Sequence, residues 1–274
     1  MLKIGWFSTG RDEAARDLLT TVVDKIRDGT INGEIAFVFC NRERGEVAES
    51  DRFLDLVESY AFPIAIASSK DFKPEMRKEA RKDGEVLRRW RLEYDVEIER
   101  VIAPFQWDLG VLAGYMLIVG EEFCQKHSLI NLHPATPDGP KGSWQEVIWE
   151  LIENQAEKTG VMMHLVTADL DRGPVITYCD FPIRGGAFTN LWTAMERKLE
   201  TKTVSEIEKE EDEKEPLFLE IRKQGLIREF PLIVHTIIQF ADNNLRIEGG
   251  QLIARGKPLT GGYCLSDDIN KTIE

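Results

Sequence analysis

Leu129-Ile130-Asn131-Leu132-His133-Pro134 is a short apolar run that carries two polar side chains and stops at a proline. Residues two apart on a strand point to the same side, so Asn131 and His133 are predicted to share one face. Open α/β sheets bind ligands at the carboxyl ends of their strands, which makes this pair a candidate site. The same pattern also arises when an asparagine caps a backbone turn and a buried histidine is simply hydrogen-bonded before a turn-forming proline. The pair alone therefore leaves a catalytic and a structural role open.

The residues before this run alternate short β-rich segments with helical ones. Such alternation predicts an α/β fold, an open and mostly parallel twisted sheet with helices on both faces. The strands are predicted at Leu2–Phe7, Glu34–Cys40, Pro63–Ala67, Asp108–Ala113 and Leu129–Leu132. The helices are predicted at Glu13–Arg27, at Val47–Tyr60, across 73–101 with a break near Asp83-Gly84, and at Glu121–Lys126.

The residues after the run continue the same domain. A helix is predicted at Ser143–Asn154, capped by Ser143, and a tight polar turn over 168–173 joins strands at Gly160–Thr167 and Pro174–Pro182. The charge run over 206–215 is typical of a solvated helix or a mobile loop. A helix begun near Pro231 and a hairpin turning at Gly249-Gly250 follow. We therefore expect a domain over 1–200, an acidic charged insertion over 201–216, and a C-terminal part over 217–274 that completes the domain.

The composition narrows the function classes. With 42% hydrophobic and 30% charged residues in 274, the chain has an ordinary globular balance. Its net charge of -13 argues against a nucleic-acid partner, because phosphate binding needs a concentrated basic surface. The four cysteines are far apart and form no Cys-x-x-Cys pair, so neither a metal site nor a disulfide framework is expected.

The chain also lacks the sequence features of a membrane or secreted protein. Its most membrane-like stretch, 101–120, is interrupted by Pro104, Gln106 and Asp108, and a buried strand explains it better. The first residues enter a strand-like segment without the design of a signal peptide. We expect a cytoplasmic protein with a small-molecule partner and no membrane association; the sequence does not indicate its oligomeric state.

Three separated motifs resemble the formyltransferase family, and within it the members that act in purine synthesis. They are Leu112-Ala113-Gly114-Tyr115-Met116, Asn131-Leu132-His133-Pro134, and a segment from His164 through Asp171-Arg172-Gly173-Pro174 to Ile176, in the family's order and spacing. The resemblance covers roughly 1–200 and resumes over 230–263. It implies a Rossmann-like formyltransferase fold and transfer of a formyl group from 10-formyltetrahydrofolate to a primary amine, without a metal.

The resemblance carries the family's catalytic triad onto Asn131, His133 and Asp171. An asparagine amide and a protonated histidine can donate hydrogen bonds to the formyl oxygen as negative charge develops on it. Histidine can also move a proton near working pH, and the carboxylate would hold the imidazolium and a water or relay the proton. His164 matches a family histidine too, but a lone histidine in an apolar strand is more often structural and is left outside the triad.

The same resemblance implies where the folate and the acceptor bind. The folate is expected against two loops, whose residues here are Met116, Leu117, Ile118, Val119, Thr167, Ala168 and Asp169. Leu117 stands where the purine-pathway members usually have an arginine, which puts a contact to the folate glutamate tail in doubt. Gly10, Arg11 and Pro134 are expected to border the acceptor.

The acceptor side departs from the family pattern. Purine-pathway members hold the acceptor phosphate on a Gly-x-Gly-Ser-Asn loop at a helix N-terminus, whereas Ser8-Thr9-Gly10-Arg11-Asp12 keeps one glycine. Asp12 and Glu13 would repel a phosphate, although such carboxylates are also ordinary in a first helical turn. Leu226 replaces a glutamate that meets the glycinamide end of the acceptor.

The resemblance makes phosphoribosylglycinamide the expected acceptor. The departures predict that it is used poorly or that its phosphate is held in an unusual way, and three alternatives remain open. The chain could formylate another amine, such as a nucleotide-linked amino sugar. It could hydrolyse 10-formyltetrahydrofolate. It could instead be a folate-binding regulatory relative without enzymatic activity, although binding alone does not require the whole triad.

Overall fold

The computed structural model describes residues 1–169 and 172–273. The first part of the chain alternates strands and helices, as the sequence predicts, and the strands then become adjacent. In chain order the elements are β1 (Leu2–Ser8), α1 (Glu13–Arg27), β2 (Gly33–Cys40), α2 (Ala48–Ser59), β3 (Ile64–Ile66), α3 (Pro74–Glu79), α4 (Gly84–Ile102), β4 (Leu109–Leu112), α5 (Glu121–Lys126), β5 (Leu129–His133), α6 (Trp144–Glu153), β6 (Lys158–Leu165), β7 (Val175–Pro182), α7 (Phe188–Leu199), α8 (Val204–Glu211), α9 (Pro216–Ala241), β8 (Leu245–Glu248), β9 (Gln251–Ala254), β10 (Lys257–Pro258), β11 (Tyr263–Cys264) and α10 (Ser266–Ile273).

Eight strands form one sheet in the order β11-β7-β6-β5-β4-β1-β2-β3. Five neighbouring strands of the sheet are mutually parallel, namely β5, β4, β1, β2 and β3. The next strand, β6, runs antiparallel to both β5 and β7. This confirms the predicted mostly parallel sheet. Because β6 runs in the opposite direction, its first half lies beside the carboxyl end of β5. Asn131 and His133 lie at that end.

Both faces of the sheet are covered, because its strands are apolar on both sides. On β1 the neighbours Trp6 and Phe7 point to opposite faces and belong to different core clusters. The Trp6 side packs against α1 and α9, and the Phe7 side packs against α4 and α5. A third cluster joins α6, α7 and α9. This confirms the prediction of helices on both faces.

Capping side chains fix the helix boundaries near the site. The predicted break in the charged region separates α3 from α4, where the Asp83 carboxylate accepts from the Glu85 and Val86 amides. Ser143 forms the expected cap of α6, as a capping box with Glu146. The acidic stretch forms α8 and a short 3₁₀ turn, Asp212–Lys214, so the helical interpretation of the charge run is the one observed.

The prediction that a helix begins near Pro231 is wrong: α9 begins at Pro216 and continues through Pro231. A proline fits the first turn of a helix, and the Glu215 carboxylate caps it by accepting from the Phe218 amide. An internal proline costs about 3 kcal/mol. Burial of apolar side chains such as Leu232 and Ile237 stabilises the helix by about 1.5–3 kcal/mol each and offsets that cost.

The length of α9 raises the question of a membrane span. In the described part of the chain, neither α9 nor any other helix combines the length and the apolarity that crossing a bilayer requires.

Candidate active site

Asn131 and His133 lie on one face of β5 at its carboxyl end, as the sequence predicts. Asn131 is opposite His164 on β6, and His133 is opposite Met162. The His133 side chain is buried, and Asn131 is half-buried. Asn131 is paired on both edges of β5, with Leu112 of β4 and with β6, whereas His133 extends past β4 and is paired with β6 alone.

The Asn131 amide is oriented by His164. Nδ2 of Asn131 lies 3.2 Å from Nε2 of His164, and Nδ1 of His164 lies 3.0 Å from the Leu165 carbonyl oxygen. A carbonyl only accepts, so the hydrogen of the His164 ring is on Nδ1 and its Nε2 accepts from the amide. The amide has a second N–H, which this contact does not use. His164, which sequence reasoning left outside the triad, therefore positions Asn131.

The loop after β5 folds over His133. Nε2 of His133 lies 3.1 Å from the carbonyl oxygen of Pro140, so this nitrogen carries a hydrogen and donates it. The rings of His133 and His164 are nearly perpendicular, with centroids 6.2 Å apart. The Nε2 hydrogen of His133 is thus engaged by the Pro140 carbonyl, beside the histidine that holds the Asn131 amide.

Asp171, the third residue of the predicted triad, lies outside the described residues, as does Leu170. Its role therefore stays a prediction. Within 1–169 and 172–273, no group of three histidine, cysteine or acidic side chains could hold a metal ion.

The two loops predicted to hold the folate border a common cleft of about 310 Å³. From the predicted set Ile118, Val119 and Ala168 contribute to its lining, whereas Met116, Leu117, Thr167 and Asp169 do not. The helix α4 adds Arg88 and Arg91, and α5 adds Glu121 and Glu122. The Met116 amide donates to the Thr9 hydroxyl at 3.0 Å, which ties this loop to the one after β1. The cleft thus brings the two predicted loops together. It also adds cations that the sequence analysis did not identify as part of this region.

Asp95 on α4 fixes the far end of the loop after β4. Its Oδ2 accepts from the Gly120 amide at 2.7 Å, and a Cβ at position 120 would lie 2.3 Å from the same oxygen. Only glycine permits this approach. Burial raises the pKa of Asp95 to about 7, although the Gly120 hydrogen bond and the charge of Arg91 act in the opposite direction.

We expect Asp95→Asn to change how stability depends on pH. Between the ordinary aspartate pKa near 4 and a pKa of about 7, the folded protein binds a proton that the unfolded chain releases. Wild-type stability should therefore fall with rising pH across this interval, by up to about 1.4 kcal/mol per pH unit, relative to the neutral variant. Denaturant unfolding of both proteins at pH 5 and pH 8 measures the trend. Asp24→Asn, at an exposed position, is the control for removing a carboxylate. If the free energy of unfolding changes equally with pH in wild type and Asp95→Asn, the prediction is wrong.

The first loop holds the predicted acceptor residues Gly10 and Arg11 beside the carboxylate that the sequence analysis noted at the start of α1. Gly10 has a φ of +60°, and a Cβ there would lie 2.7 Å from Phe53, so glycine is required. Arg11 is paired with Asp12 at 3.1 Å. Asp12 in turn caps α1 by accepting from the Ala15 amide at 3.0 Å. The helix N-terminus, where a phosphate would bind, is thus occupied by a carboxylate. Pro134 directly follows β5, and its contact with the acceptor stays a prediction.

The chain is similar in sequence and in structure to known formyltransferases. The sequence profile described as formyl transferase matches residues 14–206. Phosphoribosylglycinamide formyltransferase of Escherichia coli (strain K12) is 29% identical over 170 residues, which are 61% of this chain and 69% of that protein. The trifunctional purine biosynthetic protein adenosine-3 of Homo sapiens is 27% identical over 170 residues, which cover 14% of its length. The structure of phosphoribosylglycinamide formyltransferase from Coxiella burnetii superimposes with a TM-score of 0.64 at 20% identity, covering 96% of this chain and 98% of that one.

Proposed function

Because this chain belongs to the formyl transferase family, we propose that it transfers a formyl group from 10-formyltetrahydrofolate to a primary amine. Phosphoribosylglycinamide, named for the Escherichia coli relative, is the proposed acceptor. One observation carries the proposal: the Asn131 amide and the His133 N–H lie on one face at the end of β5, with the amide oriented by His164. We further propose that the protein acts in purine biosynthesis in the cytoplasm.

In the proposed reaction the acceptor nitrogen attacks the formyl carbon, and the bond from that carbon to the folate nitrogen breaks. Negative charge develops on the formyl oxygen before the bond breaks. The unused N–H of Asn131 would donate to this oxygen, and His133 would join it once its Nε2–H turns from the Pro140 carbonyl to the oxygen. Hydrogen-bond donors of this kind are the usual way of stabilising such a centre. One proton leaves the attacking amine and one reaches the departing folate nitrogen, and His133 is the group suited to move it. Asp171 is proposed to assist this transfer.

The folate is proposed to bind between the two loops that border the 310 Å³ cleft. Met116, Leu117, Ile118 and Val119 would meet one side of the pterin, and Thr167, Ala168 and Asp169 the other. Ile118 and Val119 give the cleft apolar walls, and backbone groups supply polar contacts. We further propose that 1–200 and 217–274 form one catalytic domain, since α9 packs against β6, β7 and α1, with 201–216 as an insertion.

An acceptor screen tests the proposed function. The protein is incubated with 10-formyltetrahydrofolate and a panel of amines, including phosphoribosylglycinamide and a nucleotide-linked amino sugar, and the formylated product is identified by mass spectrometry. We expect stoichiometric formylation of phosphoribosylglycinamide and release of tetrahydrofolate. Release of tetrahydrofolate without any amine would instead identify a hydrolase. Folate binding without turnover of any amine would point to a regulatory relative.

Titration with a folate analogue should protect the two predicted loops from hydrogen exchange. The physical reason is that a bound pterin excludes water from the cleft and engages backbone amides of 116–119 and 167–169. Hydrogen-exchange mass spectrometry with and without the analogue measures this, and α7, which borders neither loop, serves as an internal control. Protection confined to other segments would contradict the proposed folate site.

A further inference from the structure

We propose that Asp95 is a positioning residue: its carboxylate holds the 116–120 segment in the place that binds the pterin and so sets the affinity for the folate. This inference rests on the proposed function and assigns to the folate site a side chain outside the two predicted loops. Asp95 lies on α4, 25 residues before its partner Gly120. It is not among the groups that act on the formyl carbon, so the chemical step should not depend on it.

The 116–120 segment is anchored at both ends. At its start the Met116 amide donates to the Thr9 hydroxyl at 3.0 Å, and at its end the Gly120 amide donates to Oδ2 of Asp95 at 2.7 Å. Both anchoring side chains are buried. Asp95 is further fixed by α4, whose buried face packs into the core on one side of the sheet. The position of the segment therefore depends on two hydrogen bonds to buried neighbours.

The backbone amides between these anchors are available to a ligand. Within the described residues, the amides of Leu117, Ile118 and Val119 donate no hydrogen bond. Buried N–H groups without a partner are rare, and small-molecule pockets use backbone N–H groups to fix the orientation of a ligand. Ile118 and Val119 border the 310 Å³ cleft. Because a hydrogen bond weakens steeply outside a narrow range of distance and angle, a small shift of the segment should weaken folate binding.

The contact between Asp95 and Gly120 leaves no room for adjustment. A Cβ at position 120 would lie 2.3 Å from Oδ2 of Asp95 and 3.4 Å from Cδ2 of Leu92. The helix α4 thus contacts the backbone of the segment directly, and a displacement of Asp95 would be passed on to Gly120. The same helix lines the cleft with Arg88 and Arg91. It therefore both shapes the cleft and holds the segment that borders it.

A buried carboxylate is a costly way to anchor a loop. Asp95 is 6% exposed, and burial raises its pKa to about 7 although the Gly120 amide and Arg91 favour the carboxylate. An asparagine at this position would accept the same hydrogen bond without the cost of burying a charge. The acid therefore exceeds what packing alone requires, and its charge changes near neutral pH.

The charge of Asp95 is set by groups from three elements. The charged and titratable groups that face it are Arg91, Tyr94 and Glu99 on α4, Tyr115 in the loop after β4, and Glu122 and Cys124 on α5. Arg91 favours the carboxylate, whereas Glu99 and Glu122 favour the acid. Burial raises the pKa of both phenols and of the thiol, so these three groups are neutral near pH 7. A carboxylate accepts an N–H more strongly than a neutral acid does, so the segment is held best above pH 7.

Binding of 5-formyltetrahydrofolate to the full chain and steady-state kinetics of formyl transfer test this role. At pH 8, Asp95→Ala should raise the Kd for this probe and the KM for 10-formyltetrahydrofolate by about tenfold or more, because a hydrogen bond to a charged group is lost. Its kcat at saturating folate should stay within about threefold of wild type, the pattern of lost uniform binding. Asp95→Asn keeps an acceptor oxygen and should restore binding. Glu85→Gln removes an exposed carboxylate from the first turn of α4 and should bind as wild type does.

The pH dependence of binding separates this role from a purely structural one. Between pH 8 and pH 6 the wild-type affinity for 5-formyltetrahydrofolate should fall as Asp95 takes up a proton, by up to about tenfold per pH unit, the limit for one linked proton. The affinity of Asp95→Asn should stay constant, and this comparison decides the matter even if Asp95→Ala does not fold.

Three results would count against Asp95 as a positioning residue. They are wild-type affinity in a folded Asp95→Ala protein, the same pH dependence in wild type and Asp95→Asn, and a fall in kcat with unchanged KM. Absence of 5-formyltetrahydrofolate binding to the wild-type protein would instead overturn the proposed folate site on which the inference rests.

Discussion

His133→Ala is expected to lower kcat by about 10²–10⁴-fold, because a positioned acid–base group contributes that much to proton transfer. The Pro140 carbonyl accepts the Nε2 hydrogen of His133, so this N–H must turn from the carbonyl to the formyl oxygen before it can stabilise the developing charge. The interaction strengthens only as charge develops, so kcat and kcat/KM should fall together while the KM for the folate changes little. Steady-state kinetics with phosphoribosylglycinamide as acceptor measures these quantities.

The control for this experiment is His235→Ala, which removes a histidine of α9 that belongs to no motif. It should retain wild-type kcat within a few fold. Because His133 is buried, its removal could also disturb the strand, so circular dichroism and thermal unfolding must show that the variant is folded. A folded His133→Ala protein with near wild-type kcat would contradict the proposed role.

Much of the fold follows from local patterns in the sequence. The apolar runs of β1, β2 and β4 predict buried parallel strands, Ser143 predicts the start of α6, and the break near Asp83-Gly84 predicts the boundary before α4. These features depend on neighbouring residues alone. Continuation of α9 through Pro231 could not be predicted in this way. The penalty of a proline is local, but the burial that offsets it comes from strands more than fifty residues earlier in the chain.

In the candidate site, too, local sequence patterns predict some features, whereas others depend on contacts between distant residues. Alternation along β5 predicts that Asn131 and His133 share a face, and this is confirmed. The contact of Asn131 with His164 depends on the register between β5 and β6, which periodicity does not reveal. The Pro140 contact depends on the path of a loop. The contact of Asp95 with Gly120 joins residues far apart in sequence, and no pattern around either residue indicates its partner.

Asn131→Ala is expected to lower kcat by about 10²–10³-fold, the range found when one donor to a developing oxyanion is removed. One N–H of the Asn131 amide donates to His164 and orients the group, which leaves the other for the formyl oxygen. Asn131→Asp has nearly the same shape but offers no N–H and adds a negative charge, so its loss should be at least as large. His164→Ala keeps the amide and removes only its orientation, so we expect a smaller fall in kcat. Single-turnover kinetics on the three folded variants measures the chemical step directly. An Asn131→Asp protein as active as wild type would show that the formyl oxygen is stabilised elsewhere.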